Sequence, residues 1–197
     1  MQHIERAGVH SGDSMAVYPA QSLTDAEVES IVDYTRRIGL ALGVVGLMNI
    51  QFVVAGAGAY RGFAERSVDD KDDDSEIYII EVNPRSSRTI PFISKVTRIP
   101  MVRIATEVMR GKTIAEQGYG GGLVKKKDLI AIKAPVFSMS KLAGVDTYLG
   151  PEMKSTGEVM GIDVTFEGAI TKALLGSGLN IPKGAAVLLS IADPDKS

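Results

Sequence analysis

The stretch that most constrains this chain is an apolar run, Ile77-Tyr78-Ile79-Ile80, passing into Glu81-Val82-Asn83-Pro84-Arg85-Ser86-Ser87-Arg88. A β-branched and aromatic run bounded by polar sequence predicts a short strand. Alternate strand side chains share a face, so Glu81 and Asn83 are expected to project together, on the side of Ile77 and Ile79. Pro84 ends regular pairing, having no N–H to give a ladder. Two guanidinium groups follow, at Arg85 and Arg88. A carboxylate and an amide oxygen are hard ligands suited to Mg2+ or Mn2+. Arginine's planar fork suits phosphate or carboxylate. Cation ligands beside oxyanion ligands at one strand end predict a metal–phosphate site. The competing reading is a plain strand with a surface ion pair at its end.

A second strand is expected over Leu47-Met48-Asn49-Ile50-Gln51-Phe52-Val53-Val54. Met48, Ile50, Phe52 and Val54 form one apolar face, leaving Asn49 and Gln51 on the other. Between the two strands lie Gly56, Gly58 and Gly62 and the run Asp69-Asp70-Lys71-Asp72-Asp73-Asp74. The acidic run lacks the glycine of an EF-hand loop. The glycines miss dinucleotide spacing and lead into no helix. The segment therefore reads as a long, solvated hairpin connection. Antiparallel pairing across it would bring Gln51, Glu81 and Asn83 onto one face, three oxygen ligands converging.

The remaining chain reads as an alternation of helices and short strands. Gly8 to Ser14 is a polar loop whose glycines let backbone approach a ligand closely. His10-Ser11 within it has no partner acid or nucleophile-elbow spacing, so it is no hydrolase signal. Thr24-Asp25-Ala26-Glu27 matches a capping box, and a helix with helical apolar spacing runs from there to Gly43. Arg36 and Arg37 are expected on its solvated face. Pro91 to Lys95 reads as a turn, and a helix follows from Pro100 to Gly111. Gly118 to Gly122 and Lys125-Lys126-Lys127 form a flexible basic connector. Leu129 to Phe137 is a strand, with Pro135 hinting at a sheet edge. Gly150 to Gly161 is a polar turn running into a short strand, a helix covers Phe166 to Leu174 and closes at Gly176, and Ala185 to Ile191 is a buried-type strand. The opening reads as the middle of a domain, and the last strand calls for a helix and more strands after it, so the chain is expected to be cut at both ends.

Bulk properties exclude several function classes. At 197 residues the chain can form one sizeable domain, or one plus a piece of a second. Without cysteine there are no disulfides, thiolate nucleophiles or cysteine zinc sites, which fits a reducing compartment. A net charge of −2 gives no drive towards nucleic acid or anionic membrane. No apolar run approaches the ~20 residues needed to span a bilayer, and no signal-peptide pattern opens the chain. A cytoplasmic location is the expectation.

Four motifs carry a resemblance over nearly the whole length: GVHSGDS (8–14), GLMNIQF (46–52), EVNPRSSRTIPFISK (81–95) and GPEMKSTGEVMGID (150–163). In order and approximate spacing the chain resembles the large-subunit family of carbamoyl phosphate synthetase. That subunit has two homologous ATP-grasp halves. Arg88-Thr89-x-Pro91-Phe92 and GPEMKSTGEVMG are similar to the second half, which makes carbamoyl phosphate from carbamate and ATP. The resemblance implies an α/β (α+β) fold, the ATP-grasp C-terminal lobe, with a largely antiparallel sheet and flanking helices over residues 1–176. Residues 177–197 are similar to the first strand of a methylglyoxal-synthase-like regulatory domain.

The resemblance also implies roles. Gln51, Glu81 and Asn83 match the divalent-metal ligands. Gly8, Val9, His10 and Ser11 match nucleotide contacts, with Gln51 and Glu81 shared through the metal. Arg85 and Arg88 match arginines facing the transferred phosphoryl group and the carbamate. His3, Val9 and Ser14 fall where the family holds potassium, and Arg6 departs from the glutamine that often helps there. The implied activity is an ATP-dependent ligase within glutamine-hydrolysing carbamoyl phosphate synthesis, serving pyrimidine and arginine pathways. Implied partners are ATP and ADP, carbamate, Mg2+ or Mn2+, K+, and a small glutaminase subunit, with neither nucleic acid nor membrane. This chain alone is expected to be inactive, since the family's other lobe supplies the lid over the phosphates. Two alternatives stand beside this one. A biotin-dependent carboxylase of the same superfamily also carries Glu-x-Asn-Pro-Arg, but there Gln-Val-Glu-His typically follows, whereas here Ser86-Ser87-Arg88-Thr89 does. A non-catalytic scaffold fragment would keep the fold without turnover.

Overall fold

The computed structural model describes residues 1–55, 75–138, 144, 148–179, 182–184 and 186. The glycines and acidic run of 56–74, most of 177–197 and almost all of the strand expected over 185–191 lie outside these residues. Among the described residues the order is β1 (Gln2–His3), β2 (Ala16–Tyr18), α1 (Asp25–Ala41), β3 (Asn49–Ala55), β4 (Glu76–Asn83), α2 (Thr89–Thr97), α3 (Met101–Met109), β5 (Ile130–Val136), β6 (Gly157–Asp163) and α4 (Phe166–Gly176). Every strand pairing is antiparallel, in one sheet of order β1-β2-β5-β6 and a separate β3-β4 ribbon. The mixed α/β, largely antiparallel fold is as expected.

The four-stranded sheet is covered on both faces. On one, Val17, Ile132 and Ala134 pack with Ala169 and Ala173 of α4. On the other, Ala131 packs with Phe92 and Val96 of α2. The alternation along β5 sends even-numbered residues to α4 and odd-numbered ones to α2. Lys133 thereby faces the α2 side, at 1% exposure.

Helix α1 forms as its sequence dictates. Thr24 accepts a hydrogen bond from the Glu27 backbone N–H (3.2 Å), and the Glu27 carboxylate accepts one from the Thr24 backbone N–H (2.8 Å). That is the reciprocal capping box. Arg36 and Arg37 lie exposed and pair with Asp33, as expected.

Three expectations need correction. Residues 91–95, read as a turn, lie inside α2. Pro91 is only the third residue of that helix, where no intrahelical N–H partner is lost, and Phe92 and Val96 fall one turn apart and bury together. Pro135 does not mark an edge strand, since β5 lies between β2 and β6. Its neighbour β2 pairs only with Ala131 to Lys133, so at Pro135 the strand has a single partner, Glu158 on β6. The third concerns β4. Gln51 pairs with Glu81 but the next residue, Phe52, pairs with Ile79, so a bulge leaves Ile80 unmatched. The alternation shifts there, moving Ile77 and Ile79 to the face of Val54 and Phe52, away from Glu81 and Asn83.

Candidate functional site

The ribbon delivers the first half of the site. Gln51 lies directly opposite Glu81, and Asn49 opposite Asn83. Cross-strand partners share a face, so Gln51, Glu81, Asn83 and Asn49 form one polar surface. The bulge is what keeps it polar, because it turns the isoleucines of β4 to the other side. The Asn83 amide N–H donates to a Glu81 carboxylate oxygen. Arg85 then donates from Nη2 to Asn83 Oδ1 (3.3 Å) and from Nη1 to the Ser86 carbonyl (3.0 Å). Four candidate residues thus lie side by side: Gln51, Glu81, Asn83 and Arg85. Their donor chemistry suits a hard divalent cation, with one carboxylate and flanking amide oxygens. A site of one carboxylate and two amides leaves a bound dication with net positive charge.

Arg88 goes elsewhere. Beyond Pro84 the chain turns into α2, whose N-cap is Arg88. Its guanidinium donates from Nη1 to Ser155 Oγ (2.8 Å) and from Nη2 to the Ser155 carbonyl (3.1 Å). The two arginines therefore splay, Arg85 held by the ribbon and Arg88 by the segment before β6.

The loop of residues 8–14 folds against that same segment. The His10 backbone N–H donates to the Gly150 carbonyl (2.8 Å). Gly8 adopts φ +102°, a left-handed conformation that suits glycine. Val9 donates to the Arg6 carbonyl (3.4 Å), His10 Nδ1 accepts from the Gly12 N–H (3.0 Å), and the Ser11 carbonyl accepts from Lys133 Nζ (2.8 Å). Asp13 is fully buried, its two oxygens accepting the backbone N–H groups of Lys154 and Ser155 (2.8 Å each). Burial alone would raise its pKa, but the Ser155 hydroxyl and then these two backbone N–H groups hold the carboxyl below the usual range.

Beneath the loop lies a cluster of charge, with Lys133 and Asp13 buried and Glu5 and Glu158 half-buried. Burial pushes the Lys133 ammonium below its ordinary pKa, and the carboxylates of Glu158, Glu5 and Asp13 oppose that while Arg88 adds to it. Burial likewise raises Glu158 and Glu5. One carboxylate oxygen of each, Oε2, is buried with no hydrogen-bond partner. Burial, then Lys133 and the amino terminus, lower His3 to about 4, so its imidazole is neutral at pH 7. Of the residues expected around potassium, His3 sits on β1 beside this cluster. Ser14 is buried and donates to the His10 carbonyl (3.3 Å). Val9 lies in the loop above.

Residues 2–117 match the family model described as the carbamoyl-phosphate synthase L chain, ATP binding domain. The chain belongs to that family. Among carbamoyl phosphate synthase large chains, that of Thermomicrobium roseum is 57% identical over 197 residues, and that of Lachnoclostridium phytofermentans 54% over 196. Each match covers all of this chain and 17% of the relative, so the chain spans about a sixth of the length of these relatives. The family match ends before β5, whereas the similarity to the two synthase chains continues through β5, β6 and α4.

Sequence reasoning assigned no role to Asp13, Lys133, Ser155 or Glu158. Ser155 and Glu158 lie inside GPEMKSTGEVMGID, so their motif was visible but their contacts were not. Lys133 carries one local signal, a lysine at the centre of an apolar strand, which hints that it is buried and hydrogen-bonded. Among the described residues no helix is long and apolar enough to cross a membrane.

Proposed function

We propose that this chain forms the metal- and phosphate-binding lobe of an ATP-dependent, carbamoyl phosphate-forming ligase. One observation carries the reading: Gln51, Glu81 and Asn83 share one face of the ribbon, with Arg85 bonded to Asn83, in a chain of the carbamoyl phosphate synthase family. Gln51, Glu81 and Asn83 would hold Mg2+ or Mn2+, which when bound neutralises the nucleotide phosphates. Phosphoryl transfer needs mainly positioning and charge neutralisation. Arg85 and Arg88 offer their forks to the oxygens of the transferred phosphoryl group and of carbamate. The backbone of Gly8 to Ser11 meets the nucleotide, while His3, Val9 and Ser14 would hold a potassium ion beneath it. A small glutaminase subunit is the proposed source of ammonia for the carbamate. Residues 177–197 begin a regulatory module.

The test is Mn2+ binding in the presence of ADP, followed by electron paramagnetic resonance on the complete polypeptide that contains this chain. Glu81→Gln should weaken Mn2+·ADP binding at this site by at least tenfold. Unchanged binding in both Glu81→Gln and Gln51→Ala would refute the assignment.

A further inference from the structure

We infer that Ser155 is a positioning residue that fixes the angle at which Arg88 meets the reacting phosphoryl group. The inference rests on the proposed role of Arg88 and adds to it a residue to which that reading gives no part.

Both terminal nitrogens of Arg88 are spent on this one residue, Nη1 on Ser155 Oγ and Nη2 on its carbonyl. Three of the five guanidinium N–H groups remain for an oxyanion. A guanidinium gripped by one edge presents its other edge in a fixed plane, which a two-pronged oxyanion contact requires.

Ser155 is itself immobile. It is 5% exposed, its N–H donates to Asp13 Oδ1 (2.8 Å), and its hydroxyl donates to the Gly12 carbonyl (3.0 Å). A serine hydroxyl has one hydrogen and two lone pairs. Here the hydrogen is shared between two acceptors, the Gly12 carbonyl and the Asp13 carboxylate, and in either case the oxygen is left to accept from Arg88. Asp13 completes the grip by taking the Lys154 N–H on its second oxygen. A single hydroxyl thus joins Arg88 to the loop bearing Gly8 to Ser11, across separations of 67 and 143 residues in sequence. An alanine at 155 would keep the carbonyl contact and the N–H to Asp13. It would lose the hydroxyl's bonds to Gly12 and to Arg88, leaving the guanidinium on one prong and able to swing.

The experiment is a double-mutant cycle in the complete polypeptide, read as ATP formation from carbamoyl phosphate and ADP. Losing one hydrogen bond to a charged group should lower kcat in Ser155→Ala by roughly 10- to 100-fold. KM for ADP should stay within about twofold, because the Ser155 N–H to Asp13 and the His10 N–H to Gly150 still hold the loop once the Gly12 bond is lost. Arg88→Ala should lower kcat further, and Ser155→Ala/Arg88→Ala should match Arg88→Ala within about threefold, since Ser155 acts through Arg88. A merely structural serine would instead multiply its loss onto that of Arg88→Ala, which would overturn the inference. So would a Ser155→Ala enzyme with kcat within twofold of the parent while Arg88→Ala is crippled. If Arg88→Ala itself keeps full kcat, the assigned role of Arg88 fails and the role of Ser155 falls with it. Should Ser155→Ala not accumulate as folded protein, Ser155→Cys replaces it, being similar in size but a poor acceptor.

Discussion

Lys133→Met tests whether the charge cluster holds the sheet and the loop together. Methionine fills much of the same volume without the ammonium, so a cavity contributes little. Two losses remain. The Ser11 carbonyl, which accepts from Lys133 Nζ at 2.8 Å, loses its partner, at about 1–3 kcal/mol. Glu158 and Glu5 lose their buried counter-charge while each already has one carboxylate oxygen without a hydrogen bond. Losing a nearby opposite charge at half-buried carboxylates adds on the order of 1 kcal/mol, so we expect a total of about 2–4 kcal/mol near neutral pH. The pH dependence separates the two parts. Both glutamates already have raised pKa values, and without Lys133 they rise further. The charged-form penalty is therefore present above those raised values and disappears as pH falls and the carboxyls take up protons. Near pH 5 the deficit should shrink towards the hydrogen-bond share of about 1–3 kcal/mol. Urea denaturation of parent and variant, followed by far-ultraviolet circular dichroism at two pH values, measures this. A second readout is His3, one of only two histidines. Lys133 is the second cause of its depression after burial, so its pKa should move up from about 4 in the variant yet stay below the ordinary value. A deficit under about 1 kcal/mol near neutral pH, or one undiminished near pH 5, would refute the reasoning.

Two further outcomes follow from packing and capping. A side chain at Gly161 would land on the Ala169 carbonyl and the Ala173 backbone nitrogen, so Gly161→Ala should force α4 off β6 and cost more than about 3 kcal/mol in chemical denaturation. Gly121→Ala meets open space and should stay within about 0.5 kcal/mol of the parent. Thr24→Ala removes the cap of α1 and should lower stability by about 1 kcal/mol, visible as a lower Tm, while Thr24→Ser should restore most of it.

The sequence by itself determined what local physics controls. The capping box of α1, the strands carrying Gln51 and Glu81, and the stop at Pro84 each rest on neighbours a few residues apart. The convergence of Gln51 with Glu81 was legible as the pairing of two strands across a hairpin, though not from the apolar pattern, which alone would set Glu81 on the face of Phe52. Its finer form was not. Nothing in Ile77 to Asn83 announces that Ile80 is surplus to the ladder, since a bulge is defined only against the partner strand. Pro91 and Pro135 misled for a related reason. Proline forbids certain hydrogen bonds, and whether those bonds were needed depends on where the helix began and how far the neighbouring strand reached. Tertiary structure alone decided the fate of the charges. Lys133 is buried because β5 lies between two strands under α2, and Ser155 grips Arg88 because three distant segments close on one hydroxyl. A sequence lists donors and acceptors, but their pairing across 67 or 143 residues is set by the packed chain.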